Sequence, residues 1–296
     1  WEMVNRYGRK NQRLILGPWY HQANTTRDIH NIAFGDNAIR YDLDILYLRW
    51  FDRFLKGLDN GVEYEPRVQY YLVGTNQWRD ASAWPPPEAK PTKLYLRADR
   101  QLAFTPPSAP EPADEYIYDP SNPAPHLIDV SENELSVPEN YKEVEKRADV
   151  LTYSTPPLEK DIAVAGNVKA CLYAASSARD TDWVVRLTDV DEEGNSIRVA
   201  DGILRARYRR GFDSPSLLTP GQVEEYHLRL THVGYVFRKG HRIRVQITSG
   251  AKNLAFPNPN TGNDPATDTE EVVARQQIFH DPSFPSHVEL PILPEV

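Results

Sequence analysis

The hydrophobic positions change period near residue 60. Before it, Arg13-Leu-Ile-Leu-Gly17 is a short apolar run that stops at Gly17-Pro18, the punctuation of a buried strand. From Asn37 to Lys56 the spacing is helical. Leu43, Leu46, Trp50 and Phe54 share one face, Tyr47, Leu48, Phe51 and Leu55 widen it, and Gly57 supplies the stop. A stripe of that kind predicts packing against a core. An apolar strand followed by an amphipathic helix is the pattern found at the edge of an α/β sheet.

Beyond residue 60 the period is two. Val68–Val73, Lys93–Arg97, Val168–Ala174, Trp183–Thr188, Arg242–Thr248 and Val288–Ile292 read as strands. Turn clusters lie between them, at Asp191-Glu-Glu-Gly194-Asn, Thr219-Pro-Gly221 and Arg238-Lys-Gly240. Many short strands with regular turns predict an antiparallel β-sandwich. The 25 prolines fall mostly in connectors such as Trp84-Pro-Pro-Pro87, where they remove no ladder donor. Residues 119–147 are polar and irregular, and predict a long excursion over the sandwich. No internal repeat is visible. The chain therefore divides into residues 1–60 and 61–296.

Composition narrows the function classes. The chain has 296 residues, 40% hydrophobic and 26% charged, which is enough for a packed core and compatible with two domains. Its net charge of −8 argues against nucleic acid or an anionic membrane surface as partner. No apolar run approaches the roughly 20 residues that span a bilayer. The single cysteine, Cys171, excludes an internal disulfide framework, speaks against any cysteine-based zinc site within the chain, and is expected to be a small buried hydrophobe in its strand. The first residues, Trp1-Glu2-Met3-Val4, show no signal-peptide pattern. Either a leader has been removed or the chain starts inside a larger protein, and a cytoplasmic location is the expectation.

The sharpest candidate for chemistry is Gly17-Pro18-Trp19-Tyr20-His21, directly after the apolar strand. A histidine just beyond the carboxyl end of a strand in an α/β sheet stands where such folds place their sites, and imidazole moves protons near neutral pH. Its partners would be a nucleophile and an orienting carboxylate. No Gly-x-Ser-x-Gly occurs, and in α/β-hydrolases the order is Ser, Asp or Glu, then His. The 20 residues before His21 contain neither Ser nor Asp, and Asp28 and Asp36 follow it. The triad is not completed in this chain, and the other reading of His21 is a surface-loop histidine. No metal pattern stands out: His227 and His232 are five apart, and Asp189-Val-Asp191-Glu-Glu193-Gly194 reads as a charged hairpin turn because a calcium loop would need Glu where Ala200 stands. No cofactor is expected.

Arg13-Leu-Ile-Leu-Gly-Pro-Trp-Tyr-His21 resembles the histidine segment of the bacterial serine hydrolases grouped with cocaine esterase, α-amino acid ester hydrolase, glutaryl-cephalosporanic-acid acylases and X-Pro dipeptidyl-peptidase. Arg49-Trp-Phe-Asp-Arg-Phe-Leu-Lys-Gly57 resembles the helix that follows it there. Asp149–Leu158, Asp180-Thr-Asp-Trp183, Asp201–Tyr208, Lys239–Arg244, Pro257–Gly262 and Ile278–Pro282 resemble that family's carboxyl-terminal jelly roll. The resemblance covers essentially the whole chain, in order. It departs at Pro123–Asp129 and at Glu139–Lys142, in a loop region expected near the active-site mouth, and also at Ser249–Asn253.

The resemblance implies a mainly β chain, with a jelly-roll β-sandwich at 61–296 preceded by the last strand and helix of an α/β-hydrolase domain at 1–60. It implies a Ser-His-Asp acyl-enzyme mechanism acting on ester, amide or X-Pro dipeptidyl bonds, in which His21 is the catalytic base. The nucleophile, the aspartate and the oxyanion tyrosine belong to an earlier segment, so the chain by itself is expected to be inactive. The implied partners are a small ester, amide or short peptide substrate and the amino-terminal hydrolase segment, with homo-oligomerisation left open. Asp180, Asp182, Asp201, Arg205 and Arg207 are expected to form structural ion pairs, and Trp183 and Trp78 to be core aromatics. The rival reading is a non-catalytic β-sandwich module that binds carbohydrate or a protein partner.

Overall fold

In the computed structural model the described residues are 1–30, 32–128, 137–264 and 266–296. They form a mainly β structure. Eleven strands among them make one hydrogen-bonded sheet that folds over into a sandwich, ten along a single path and Glu224–Phe237 branching from it. One layer carries Ser196–Arg205, Asp182–Val190, Arg242–Thr248 and Leu151–Ser154, paired antiparallel in that order. The other is built on the long strand Ile162–Ser176. Glu224–Phe237 pairs along one of its edges, and His287–Ile292 and Ala274–Phe279 share the other. Trp183 and Leu187 of the first layer meet Tyr226, Leu228 and Leu172 of the second in one continuous core. The Trp183 and Tyr226 rings lie 5.5 Å apart, which bears out Trp183 as a core aromatic.

The strand Asp182–Val190 is buried at every position. Its core-facing side is Trp183, Val185 and Leu187, and its other side is roofed by the described part of the 119–147 excursion. There the Arg186 guanidinium lies 3.8 Å from the centre of the Tyr141 ring and bonds to Gln246 and to His126. The excursion is tied down where His126 N–H donates to Lys252 O (2.8 Å) and Lys252 N–H to Ala124 O (3.0 Å). Of the expected variable loop Pro123–Asp129, Asp129 lies outside the described residues.

Two expectations need correction. Val68–Leu72 is not a sandwich strand. It pairs parallel with Leu14–Leu16 and antiparallel with Gln77–Ala81 in a separate three-stranded sheet. It is buried on both faces, because Tyr70, Leu72 and Trp84 pack on Ala163, Ala165 and Val236 of the sandwich while Tyr71 faces Ile29 and Phe34. Val73 N–H donates to Gly234 O (2.9 Å) and Val236 N–H to Val73 O (3.0 Å), joining the two sheets.

The helix spans Leu43–Lys56 and does not start at Asn37. Asn37 is captured by Asn76 through its backbone N–H (2.8 Å) and its side-chain amide (3.0 Å), and the Arg40 N–H by Asn24, and before Leu43 the chain makes only the short 3-10 turn Asp36–Ala38. Gly57 ends the helix in the left-handed region, φ 74°. Among the described residues only the narrow face of its stripe is partly covered, with Leu46 and Trp50 half-buried. Leu43 is buried, whereas Leu48, Phe51 and Leu55 are 58%, 53% and 77% exposed. Among the described residues no helix is long and apolar enough to cross a membrane.

Candidate functional site

The apolar run Leu14–Leu16 ends at Gly17, where an added Cβ would lie 2.5 Å from the Trp19 ring. Glycine thus lets Trp19 fold back over the turn. Trp19 is fixed by its indole N–H, which donates to Ala38 O (2.6 Å), and by its ring, 5.5 Å from that of Trp78. Trp78 in turn donates to Asn37 O (2.8 Å) and lies under the Arg40 guanidinium, so it is half-buried rather than deep in the core. Two residues after this anchor, His21 stands exposed in a turn that Ala23 N–H closes onto Tyr20 O (2.8 Å). The geometry is that of a side chain presented outward from the carboxyl end of a parallel-paired strand.

Behind the segment lies an apolar cavity of about 260 Å³, lined by Gly17, Pro18, Trp19, Tyr70, Tyr71 and Trp84 among others. His21 does not line it. Burial pushes the Tyr71 phenol up to about 12, and its hydroxyl donates to Phe34 O (2.5 Å), which locks the cavity floor. Asp28 and Asp36 are engaged locally. The Thr26 hydroxyl lies 3.2 Å from an Asp28 carboxylate oxygen, and Arg27 pairs with Asp36 at 3.9 Å.

The charged set of the sandwich is structural. Asp180 is fully buried and accepts from Arg207 N–H (2.9 Å) and Arg207 Nε (2.7 Å). Asp182 accepts from Arg205 Nε (2.9 Å), and Asn258 Nδ2 bridges both carboxylates at 3.0 Å. Burial alone would raise the Asp201 carboxyl, yet hydrogen bonds from Arg198 and the nearby Arg186 charge outweigh it and hold the group below its ordinary value. Asp191–Asn195 is the expected hairpin turn, with Asp191 Oδ1 accepting from Glu193 N–H and Asn195 N–H.

Two clusters escaped the reading of the sequence. His280 sits between Glu111 and Asp114, 3.1 Å from each, buried beside Tyr153. Cys171 is buried but does not face the core. It lies on the outer face of its sheet, with Sγ 3.3 Å from Glu225 Oε1, and its thiol is pushed up to about 12 by burial and then by that carboxylate. The period-two pattern of Ile162–Ser176 could have revealed this, since Lys169, Cys171 and Tyr173 alternate with the core residues Ala170, Leu172 and Ala174.

Residues 60–289 match the family described as the X-Pro dipeptidyl-peptidase C-terminal non-catalytic domain. The chain belongs to that family. Its matched span begins after His21, which lies on the preceding segment. The chain is 34% identical over 295 residues to the cocaine esterase of Rhodococcus sp. (strain MB1 Bresler), covering 95% of this chain and 51% of that one. Its fold is shared with an aminopeptidase from a marine sediment Thaumarchaeota archaeon (TM-score 0.86, 29% identity, 99% of this chain and 51% of that one). It is also shared with an α-amino acid ester hydrolase (TM-score 0.84, 29% identity, 98% and 52%). The chain thus spans about half the length of the relatives it matches, and those relatives are hydrolases.

Proposed function

We propose that this chain is the carboxyl-terminal portion of a serine hydrolase of ester or amide bonds, with residues 1–60 and the small sheet through Ala81 closing an α/β-hydrolase domain and the strands beyond it forming its jelly roll. His21 is its catalytic base. A serine on a segment outside this chain attacks the acyl carbonyl, His21 takes the serine proton and returns it to the leaving alcohol or amine, and an aspartate holds the imidazole. Water, deprotonated by the same imidazole, then releases the acid and restores the serine.

The observation that carries this reading is the placement of Gly17–His21. The segment leaves the carboxyl end of a parallel-paired strand, exposes its imidazole, and leads into a helix whose Leu48, Phe51 and Leu55 stay more than half exposed among the described residues. A free-standing binding module would have no use for that helix face, whereas the rest of a hydrolase domain would bury it. Twofold longer relatives named as an esterase and an ester hydrolase support the same reaction class.

The test is hydrolysis of activated esters and amides by two preparations, the purified 296-residue chain and the complete protein. The complete protein is expected to turn over and the chain is not, since a base without its nucleophile lacks the covalent step. Turnover by the chain alone that disappears in His21→Ala would overturn the proposal.

A further inference from the structure

We propose that Cys171, His227 and Glu225 form a site for a thiophilic divalent cation, of which Zn²⁺ is the representative, on the outer face of the sandwich and apart from His21.

The strand register builds the site. Cys171 is directly opposite His227 on one neighbouring strand and directly opposite His287 on the other, so thiol and imidazoles form a single row across three strands. Glu225 is on the same strand and the same face as His227, one outward step away. The ligand atoms of Cys171, His227 and Glu225 all fall within 4.8 Å of one another. The Glu225 Oε1 atom is already 3.3 Å from the Cys171 Sγ and 3.2 Å from the His227 Nε2. Ligands of a tetrahedral zinc stand roughly 3.5 Å apart, so only the sulfur–imidazole separation has to close, within the reach of the exposed His227 side chain.

The donor set selects the ion. Thiolate, imidazole and carboxylate together suit zinc and its neighbours, while calcium and magnesium take oxygen ligands. Cys⁻ and Glu⁻ neutralise the charge of the dication, and the thiol proton leaves to solvent as the metal–sulfur bond forms. Two lysines stand in the next row: Lys169, paired with Glu289 at 3.2 Å, and Lys93, which is opposite Glu289 on the adjoining strand and lines the same depression. The fourth position is open to water or to His287, which lines the same depression of about 440 Å³. The His287 Nδ1–H donates to Pro285 O (2.8 Å), which leaves Nε2 with its lone pair, the tautomer a ligating histidine adopts. A bound ion would clip Glu224–Phe237 to Ile162–Ser176, and so brace the outer face of the sandwich.

The experiment titrates untagged, metal-stripped protein with Zn²⁺ against a chromophoric chelator, and with Co²⁺ followed by absorption. One Zn²⁺ per chain and a thiolate-to-cobalt charge-transfer band in the near ultraviolet are expected. Cys171→Ser should abolish the band, and Cys171→Ser and His227→Ala should each weaken zinc binding at least about tenfold. Asp28→Asn, far from the site, should leave binding unchanged, and thermal melting shows that each variant is folded. Absence of zinc binding by the unmodified protein, or binding equally tight in folded Cys171→Ser and His227→Ala, would overturn the proposal.

Discussion

Replacing Asp180 by alanine tests whether the charged residues of the sandwich act as structural ties. Asp180 has no exposed surface and receives three hydrogen bonds, from Arg207 N–H, Arg207 Nε and Asn258 Nδ2. Its removal strands the Arg207 guanidinium, whose side chain is 13% exposed. Breaking a buried ion pair from one side costs about 3–5 kcal/mol. Arg207 retains Asn263 O at 2.9 Å and Asn258 retains Asp182 at 3.0 Å, which places the loss at the low end, about 3 kcal/mol. Asp180→Asn keeps an acceptor for the Arg207 N–H and loses only the charge, so about 1–2 kcal/mol is expected. Urea unfolding of both variants measures these losses, and a double-mutant cycle with Arg207→Met should return a coupling of about 2 kcal/mol. A loss below about 1 kcal/mol in Asp180→Ala, the size of a surface pair, would refute the structural reading.

Two further perturbations probe the acidic cluster and the bare helix. Burial alone lowers the His280 pKa, but hydrogen bonds to Asp114 and Glu111 carry it above its ordinary 6.5. Burial alone raises Asp114, and the bonds from His280 and Tyr153 bring it below 3.8. The histidine's contribution is therefore complete below 6.5 and lost as pH rises through its raised folded value, and the carboxylate's is present above 3.8 and lost as pH falls through its lowered one. His280→Asn should lower the melting temperature most between about pH 4 and 6.5 and progressively less at alkaline pH; a pH-independent difference would contradict this. On the helix, Leu48→Glu with Phe51→Glu should change the unfolding free energy of this chain by less than about 0.5 kcal/mol, because both side chains are more than half exposed, while reducing hydrophobic-dye binding and self-association. A large destabilisation would mean that this face is packed within the chain after all.

Local patterning made the sandwich legible, and long-range contacts hid the rest. Arg242–Thr248 and Trp183–Thr188 stand out in the sequence because their inward residues are Ile, Val, Leu and Trp. Ser196–Arg205 and Ala274–Phe279 do not, because they bury Ser196, Arg198 and Gln276 in hydrogen-bond networks that break the apolar alternation. The true start of the helix depends on Asn76, 39 residues from Asn37, and no local signal reports it. The membership of Val68–Leu72 in the small sheet follows from pairing with Leu14–Leu16, a choice that period alone leaves open. The candidate site shows the same division. His21 was conspicuous as the end of an apolar strand, whereas Cys171, His227 and Glu225 meet only through the register of two strands more than fifty residues apart.

The central claim concerns the imidazole of His21, and the kcat/KM of the complete protein carrying His21→Ala tests it most directly, measured beside His30→Ala. His30 is the control because it lies nine residues on, with its Nδ1 held 2.5 Å from a Glu139 carboxylate oxygen. Loss of about a thousandfold or more in His21→Ala, with His30→Ala within about tenfold of the unmodified protein, is the predicted result. Near-normal turnover in His21→Ala would contradict the account.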